Sequence, residues 1–218
     1  MSFPEKRTAL LVHSALARSG CDEATIGLVH RYLWDAGVLP LVTELRLHSA
    51  FTFSHSLRTM SFAVRIARKM NVEAGEYAIL CVGALLHDIG KLWVPISILQ
   101  KPESLRNSEF ETIRTHPEVG YESVADKRVF GWSAVLDIIR HHHECLDGSG
   151  YPLGLTAPQI SWRARCVSVC DVFCALTEDR PYRVAMHTQD ALHILREMAR
   201  AGKLDGEIVD VFCSQYGS

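Results

Sequence analysis

The run His141-His142-His143-Glu144-Cys145-Leu146-Asp147-Gly148-Ser149-Gly150-Tyr151-Pro152 places three imidazoles and a carboxylate directly before a glycine-rich turn. That is more metal-binding capacity than a fold needs. A His87-Asp88 pair follows an apolar run, His55 lies upstream, His116 lies between the two clusters, and Asp171 sits in a later apolar segment. Neutral imidazole nitrogens with a few carboxylate oxygens suit Fe, Mn, Ni or Zn, whereas Mg or Ca call for oxygen ligands alone. These residues read as a polynuclear metal hydrolase. Roughly six ligands from several segments are enough for two ions that share a carboxylate and a water, which clamps a phosphodiester for in-line attack. If the helix before it persists, Lys91 lies one turn beyond His87-Asp88 and offers a cation to the charge developing on a phosphate.

The elements that must position these groups read as helices. Apolar residues recur three and four apart from Glu44 to Met70, which predicts one amphipathic helix or two abutting ones carrying His55. Glu73 to Leu86 predicts a buried central helix, with Gly90 as its C-terminal stop. Ser108 to Thr115 predicts a helix capped by Ser108 with Glu111 three residues on, and Pro117 predicts that His116 sits at a junction outside ordinary helical geometry. Ala134 to His143 predicts a short helix, Asp147 to Thr156 a loop, and Ile160 to Leu176 and Thr188 to Ala201 the remaining helices. Neighbours on a helix point about 100° apart, so at most two of His141, His142 and His143 face inward, and His141 is the expected odd member.

A chain of 218 residues, 48% hydrophobic, supports one compact domain. Residues 1–45 are expected to form a helical prefix, helical from Ser14 to Leu39 with Asp22 as a cap, that packs on the domain or mediates a homodimer; residues 46–218 are expected to be the functional domain. With 23 Lys plus Arg against 25 Asp plus Glu, no global field recruits polymeric nucleic acid or an anionic membrane. The seven cysteines are odd in number and scattered, which fits reduced thiols. With no spanning apolar stretch or signal peptide to read, the expected location is the cytoplasm. Cys166, Cys170 and Cys174 share a helical face and are expected to pack as small hydrophobes rather than to bind a soft metal. His13, His30, His48, His187 and His193 read as structural or exposed, and Trp93, Trp132 and Trp162 as core or interface residues.

Taken in order, the motifs resemble the HD-GYP family. They are His55, His87-Asp88-Ile89-Gly90-Lys91, Val94-Pro95 with Ile98 to Pro102, His116-Pro117-Glu118-Val119-Gly120, His142-His143-Glu144 with Asp147 to Pro152, and Asp171-Val172-Phe173 followed by Ala175-Leu176-Thr177 and Asp179 to Arg183. The resemblance runs from about His55 to Phe212. It implies an all-α HD-domain helical bundle that hydrolyses a cyclic dinucleotide, cyclic di-GMP foremost, to linear dinucleotide or GMP by attack of a metal-bridging hydroxide. It also implies two divalent ions, iron or manganese, with nickel or zinc as alternatives. Carried over residue by residue, His55, His87, Asp88, His116, His142, His143 and Asp171 match the ligand positions, with Asp88 as the bridge and a catalytic residue beside Lys91, the phosphate-facing lysine. Gly150, Tyr151 and Pro152, with Arg180 and Arg183, match positions that approach the dinucleotide; guanidinium forks suit phosphate and the guanine O6/N7 edge. A GGDEF-type synthase or another signalling protein is the implied partner.

Three positions depart from the family pattern. Phe51 stands where some members carry an acidic residue and a third metal, which favours two ions here. Cys174 replaces a common Asp, and Cys145 a common Arg. The alternatives are a 3′,3′-cyclic GMP-AMP phosphodiesterase and a catalytically weak module that binds a cyclic dinucleotide or docks a synthase. Guanosine tetraphosphate hydrolysis explains His87-Asp88 but leaves the motif from His142 to Pro152 without a purpose.

Overall fold

A computed structural model describes residues 1–179 and 183–216, which are helical with no β-strand. Helix α1 (Phe3–Arg18) is capped by Ser2, and α2 (Glu23–Asp35) by Asp22, whose carboxylate accepts from the Thr25 amide at 2.7 Å. With α3 (Leu39–His48), these helices send Val12, Leu16, Ile26, Val29, Leu33 and Val42 into the same core as the later ones. The long stripe from Glu44 resolves as two abutting helices. Ser49 leaves helical geometry at φ −144° and accepts from the Thr52 amide at 3.2 Å, opening α4 (Ala50–Lys69).

Helix α5 (Ala74–Leu86) is buried at every residue from Tyr77 to Leu86, as its all-round apolar composition requires. Gly90 does not stop it. The chain passes through His87 and Asp88 into a 3₁₀ turn over Ile89–Trp93, and a Cβ on Gly90 would lie 2.0 Å from the His116 carbonyl oxygen. Glycine is needed there because this turn presses against the backbone of the helix that carries His116.

After α6 (Ile96–Leu99) comes α7 (Asn107–Arg114), and the expected Ser108–Glu111 cap is not the one used. Glu109 reaches back to the Arg106 amide at 2.7 Å, placing the helix start two residues earlier. His116 sits at the expected junction after α7, but as the first residue of α8 (His116–Val124) rather than outside helical geometry. Pro117 falls in the opening turn, where its missing N–H has no helical partner to lose. Then follow α9 (Trp132–His141), α10 (Trp162–Leu176), α11 (Thr188–Arg200) and α12 (Gly206–Cys213). Cys166, Cys170 and Cys174 are buried in the core as small packing groups. Among the described residues no helix is long and apolar enough to cross a membrane.

Candidate metal centre

Helix ends deliver most of the chemistry. His87 and Asp88 follow the last turn of α5, His116 opens α8, and His142 and His143 follow α9, while His55 and Asp171 project from within α4 and α10. All seven predicted ligand residues converge. Candidate donor atoms of His55, His87 and Asp88 lie within 4.8 Å of one another, as do those of His116, His142 and His143, and those of His87, His142 and Asp171. Asp88 faces two groups at once: Oδ2 is 3.5 Å from His87 Nε2 and 3.9 Å from His55 Nε2, and Oδ1 is 3.2 Å from His116 Nε2. Asp171 Oδ1 lies 2.8 Å from His55 Nε2, and its Oδ2 lies 3.7 Å from His143 Nδ1. His141 turns away to Asp137, 2.8 Å from its Nδ1. His13 and His30 stack on each other and His48 contacts the Val94 carbonyl, outside the cluster.

The donor set fits a cation because several of its members do not satisfy one another, His55 and Asp171 being the pair that does. The Nδ1 atoms of His87, His116 and His142 lie 2.7, 2.7 and 2.9 Å from the carbonyl oxygens of Ala84, Ile113 and Ile139. A carbonyl has no proton to give, so each Nδ1 carries one and each neutral ring turns an Nε2 lone pair into the site. Those lone pairs meet other acceptors: His116 Nε2 is 3.2 Å from His142 Nε2 and 3.2 Å from Asp88 Oδ1. His87 Nε2 and Asp88 Oδ1 are buried with no hydrogen-bond partner. Burying such groups unpaired is costly, and a divalent ion among them removes the cost.

Charge states at His87, His142 and Asp88 agree with this, while His55 holds a proton that an incoming cation would displace. Burial pushes His87 below the ordinary imidazole range, and burial with the neighbouring rings holds His142 well below it, so both stay neutral. Burial alone would raise Asp88, but Lys91 and the surrounding histidines outweigh it and keep the carboxylate ionised. Burial likewise works against His55, yet hydrogen bonds to Asp171 and Glu178 prevail and raise it to about 9.

Lys91 Nζ donates to Asp88 Oδ2 at 2.7 Å. It opens onto a cavity of about 370 Å³ walled by His116, His143, Asp171, Tyr151 and Arg183, with Phe110, Ile113, Val172 and Leu176 on its apolar side. Larger depressions elsewhere, such as one of about 630 Å³ lined by Pro95, Lys101 and Arg106, lack any of the clustered ligands. The Tyr151 ring stacks on His143 at 4.7 Å, and Arg114 lies 4.8 Å from the Tyr151 ring centre. Glu144 fixes this loop, its two oxygens accepting from the Leu153 and Leu155 amides at 2.7 and 2.9 Å. Gly150 is obligatory, since a Cβ would lie 2.3 Å from the Cys145 amide nitrogen. Pro152 follows Tyr151 in the same turn, Phe51 lies at the edge of a small cavity beside His55 and Lys91, and Arg180 lies outside the described residues. Sequence reasoning missed Glu178, Arg114, Phe110 and the anchoring by Glu144. Glu178 is 123 positions from the His55 it touches, so no local pattern could reveal it.

Residues 41–208 match a family model described as HD domain. The chain is 33% identical over 215 residues to the cyclic di-GMP phosphodiesterase PA4108 of Pseudomonas aeruginosa, covering 99% of this chain and 50% of that protein. It is 38% identical over 163 residues to the 3'3'-cGAMP-specific phosphodiesterase 1 of Vibrio cholerae, covering 75% of this chain and 37% of that one. Thus the chain spans half or less of the length of these curated relatives. Among solved structures it is similar to Bd1817, an HDG"Y"P protein from Bdellovibrio bacteriovorus, with a TM-score of 0.63 at 23% identity over 76% of this chain and 52% of that one.

Proposed function

The chain belongs to the HD domain family, as one of its HD-GYP members, and we propose that it is a metal-dependent phosphodiesterase hydrolysing a cyclic dinucleotide, cyclic di-GMP foremost. One observation carries the reading: seven groups from five parts of the chain, six of them buried and His143 partly exposed, bring nitrogen and oxygen ligand atoms together beside a cavity that holds Lys91, Tyr151 and Arg183. His55, His87, Asp88, His116, His142, His143 and Asp171 would hold two divalent ions, iron or manganese, with Asp88 the one that faces both groups of histidines. Ions bound there lower the pKa of coordinated water and polarise phosphoryl oxygens.

The protein's own groups supply the rest. Two carboxylates against two dications leave the site net positive, which attracts a phosphodiester without any help from the nearly neutral whole chain. Lys91 Nζ, at the cavity wall, shifts from Asp88 toward a non-bridging phosphate oxygen and stabilises charge as the bond breaks. Tyr151 is held by His143, Arg114 and the Glu144-anchored loop, so the part of it that lines the cavity is preset rather than ordered on binding. Arg180 and Arg183 offer guanidinium forks to phosphate or guanine. A cavity of about 370 Å³ falls within the range of roughly 300 to 1,000 Å³ common for small-ligand sites.

Residues 46–218 make the catalytic domain in this reading and residues 1–45 a helical prefix; the location is the cytoplasm, and a GGDEF-type synthase or a second copy of the chain is the candidate partner. The similarity to a protein named as 3'3'-cGAMP-specific favours that substrate as the second reading. Both are tested by supplying Fe(II), Mn(II) or Ni(II) anaerobically and measuring linear dinucleotide and mononucleotide release from each substrate. Preferred turnover of cyclic di-GMP supports the first reading, preferred turnover of 3′,3′-cyclic GMP-AMP supports the second, and no product from metal-loaded protein contradicts both.

A further inference from the structure

Three imidazoles of the cluster are oriented by main-chain carbonyls, and each uses the residue three positions back: Ala84 for His87, Ile113 for His116, Ile139 for His142. Those carbonyls belong to the last turns of α5, α7 and α9, where helix geometry leaves oxygens without partners. His55 cannot use that device. It sits in the second turn of α4, where the nearby carbonyls are committed to the helix, so its Nδ1 needs an acceptor from elsewhere in the chain.

Glu178 provides it. Its Oε2 lies 2.7 Å from His55 Nδ1, on the opposite side of the ring from Asp171 and Asp88, with the two side chains 12% and 4% exposed. The carboxylate is itself fixed. Arg58, one turn beyond His55 on α4, brings Nη1 to 3.4 Å from Glu178 Oε1 while donating to the Thr177 carbonyl at 3.1 Å and the Thr177 hydroxyl at 2.8 Å. Position 174, between Asp171 on α10 and Glu178 just beyond the helix's last residue Leu176, holds a buried Cys that offers no carboxylate.

We propose that Glu178 is a positioning residue for the metal centre: by accepting the Nδ1 proton of His55 it fixes the tautomer with Nε2 aimed at Asp88 and Asp171, and raises the basicity of that nitrogen. The inference rests on the metal-hydrolase reading. A carboxylate behind a metal-bound imidazole is worth about 10- to 100-fold in metal affinity.

The test titrates metal-free wild type, Glu178→Gln and Glu178→Ala with Mn(II) and, for its visible absorption, with Co(II). Glu178→Ala is expected to weaken one of the two binding steps by about 10- to 100-fold and to shift the Co(II) spectrum. Glu178→Gln, which keeps an oxygen for Nδ1 and preserves the side-chain volume, is expected to fall between wild type and Glu178→Ala. Equal affinity and an unchanged Co(II) spectrum in both variants, against a wild type that binds, would overturn the role of Glu178 alone. A wild type that takes up neither ion would instead overturn the metal reading beneath it. If Glu178→Ala does not fold, Glu178→Gln alone decides, because it keeps the side-chain volume and removes only the charge that faces His55 and Arg58.

Discussion

Replacing Glu144 by Gln isolates the anchoring of the Tyr151 loop from the metal ligands beside it. Glu144 is 3% exposed, and its two oxygens each accept one main-chain N–H, from Leu153 and from Leu155. Glutamine has one oxygen, so one bond survives in neutral form and the other amide meets an NH₂ group. A hydrogen bond to a charged group contributes about 1.5–3 kcal/mol. Leu153 is half-exposed, so water can reach part of the loop once it opens, and we take a net loss of about 2–3 kcal/mol for the closed form. At about 1.4 kcal/mol per factor of ten, loop opening should become roughly 30- to 150-fold more frequent. Hydrogen exchange of the Leu153 and Leu155 amides reads this directly, and KM for the cyclic dinucleotide should rise while bound metal per chain stays at the wild-type value. Unchanged protection at both amides would refute the anchoring argument, and loss of metal would mean that Glu144 supports His143 rather than the loop.

Gly90→Ala forces a methyl group against the His116 carbonyl and should destabilise the protein by about 1–3 kcal/mol or more. At about 2–4 °C per kcal/mol for a chain of this size, calorimetry should show a Tm lower by several degrees, and an unchanged Tm would contradict the close packing. Lys91→Met should lower kcat by about 10²- to 10³-fold with metal content intact, as expected for a group that meets charge in the transition state. Asp88→Asn removes the charge facing both groups of ligands and should reduce bound metal from two ions per chain to one or none by elemental analysis. Mn(II) at about 100 times its Kd should stabilise wild type by about 2.7 kcal/mol per site, and EDTA should reverse the gain.

The sequence made the convergent cluster legible because each of its residues sits inside a short pattern of unusual residue types, and because the patterns follow one another in a family-specific order. His141 was separable from His142 and His143 by helix angle alone, and the structure turns it to Asp137. The boundary at Ser49 was open in the sequence because the apolar stripe runs through it; a single extended backbone conformation there divides α3 from α4. Gly90 and Pro117 were misjudged for a related reason. Each was weighed by local backbone preference, whereas Gly90 answers to packing against another helix and Pro117 to its place in an opening turn, where proline loses nothing. Glu178 was invisible because its partner lies on another helix, and Arg106 because capping by Glu109 depends on the reach of that side chain back to the main chain.

Metal equivalents per chain, measured by elemental analysis after anaerobic purification and loading with Mn(II), decide whether the clustered histidines and aspartates bind metal. The arrangement of His55, His87, Asp88, His116, His142, His143 and Asp171 predicts two ions retained through gel filtration, falling in Asp88→Asn. Retention of none by a folded wild type would contradict it.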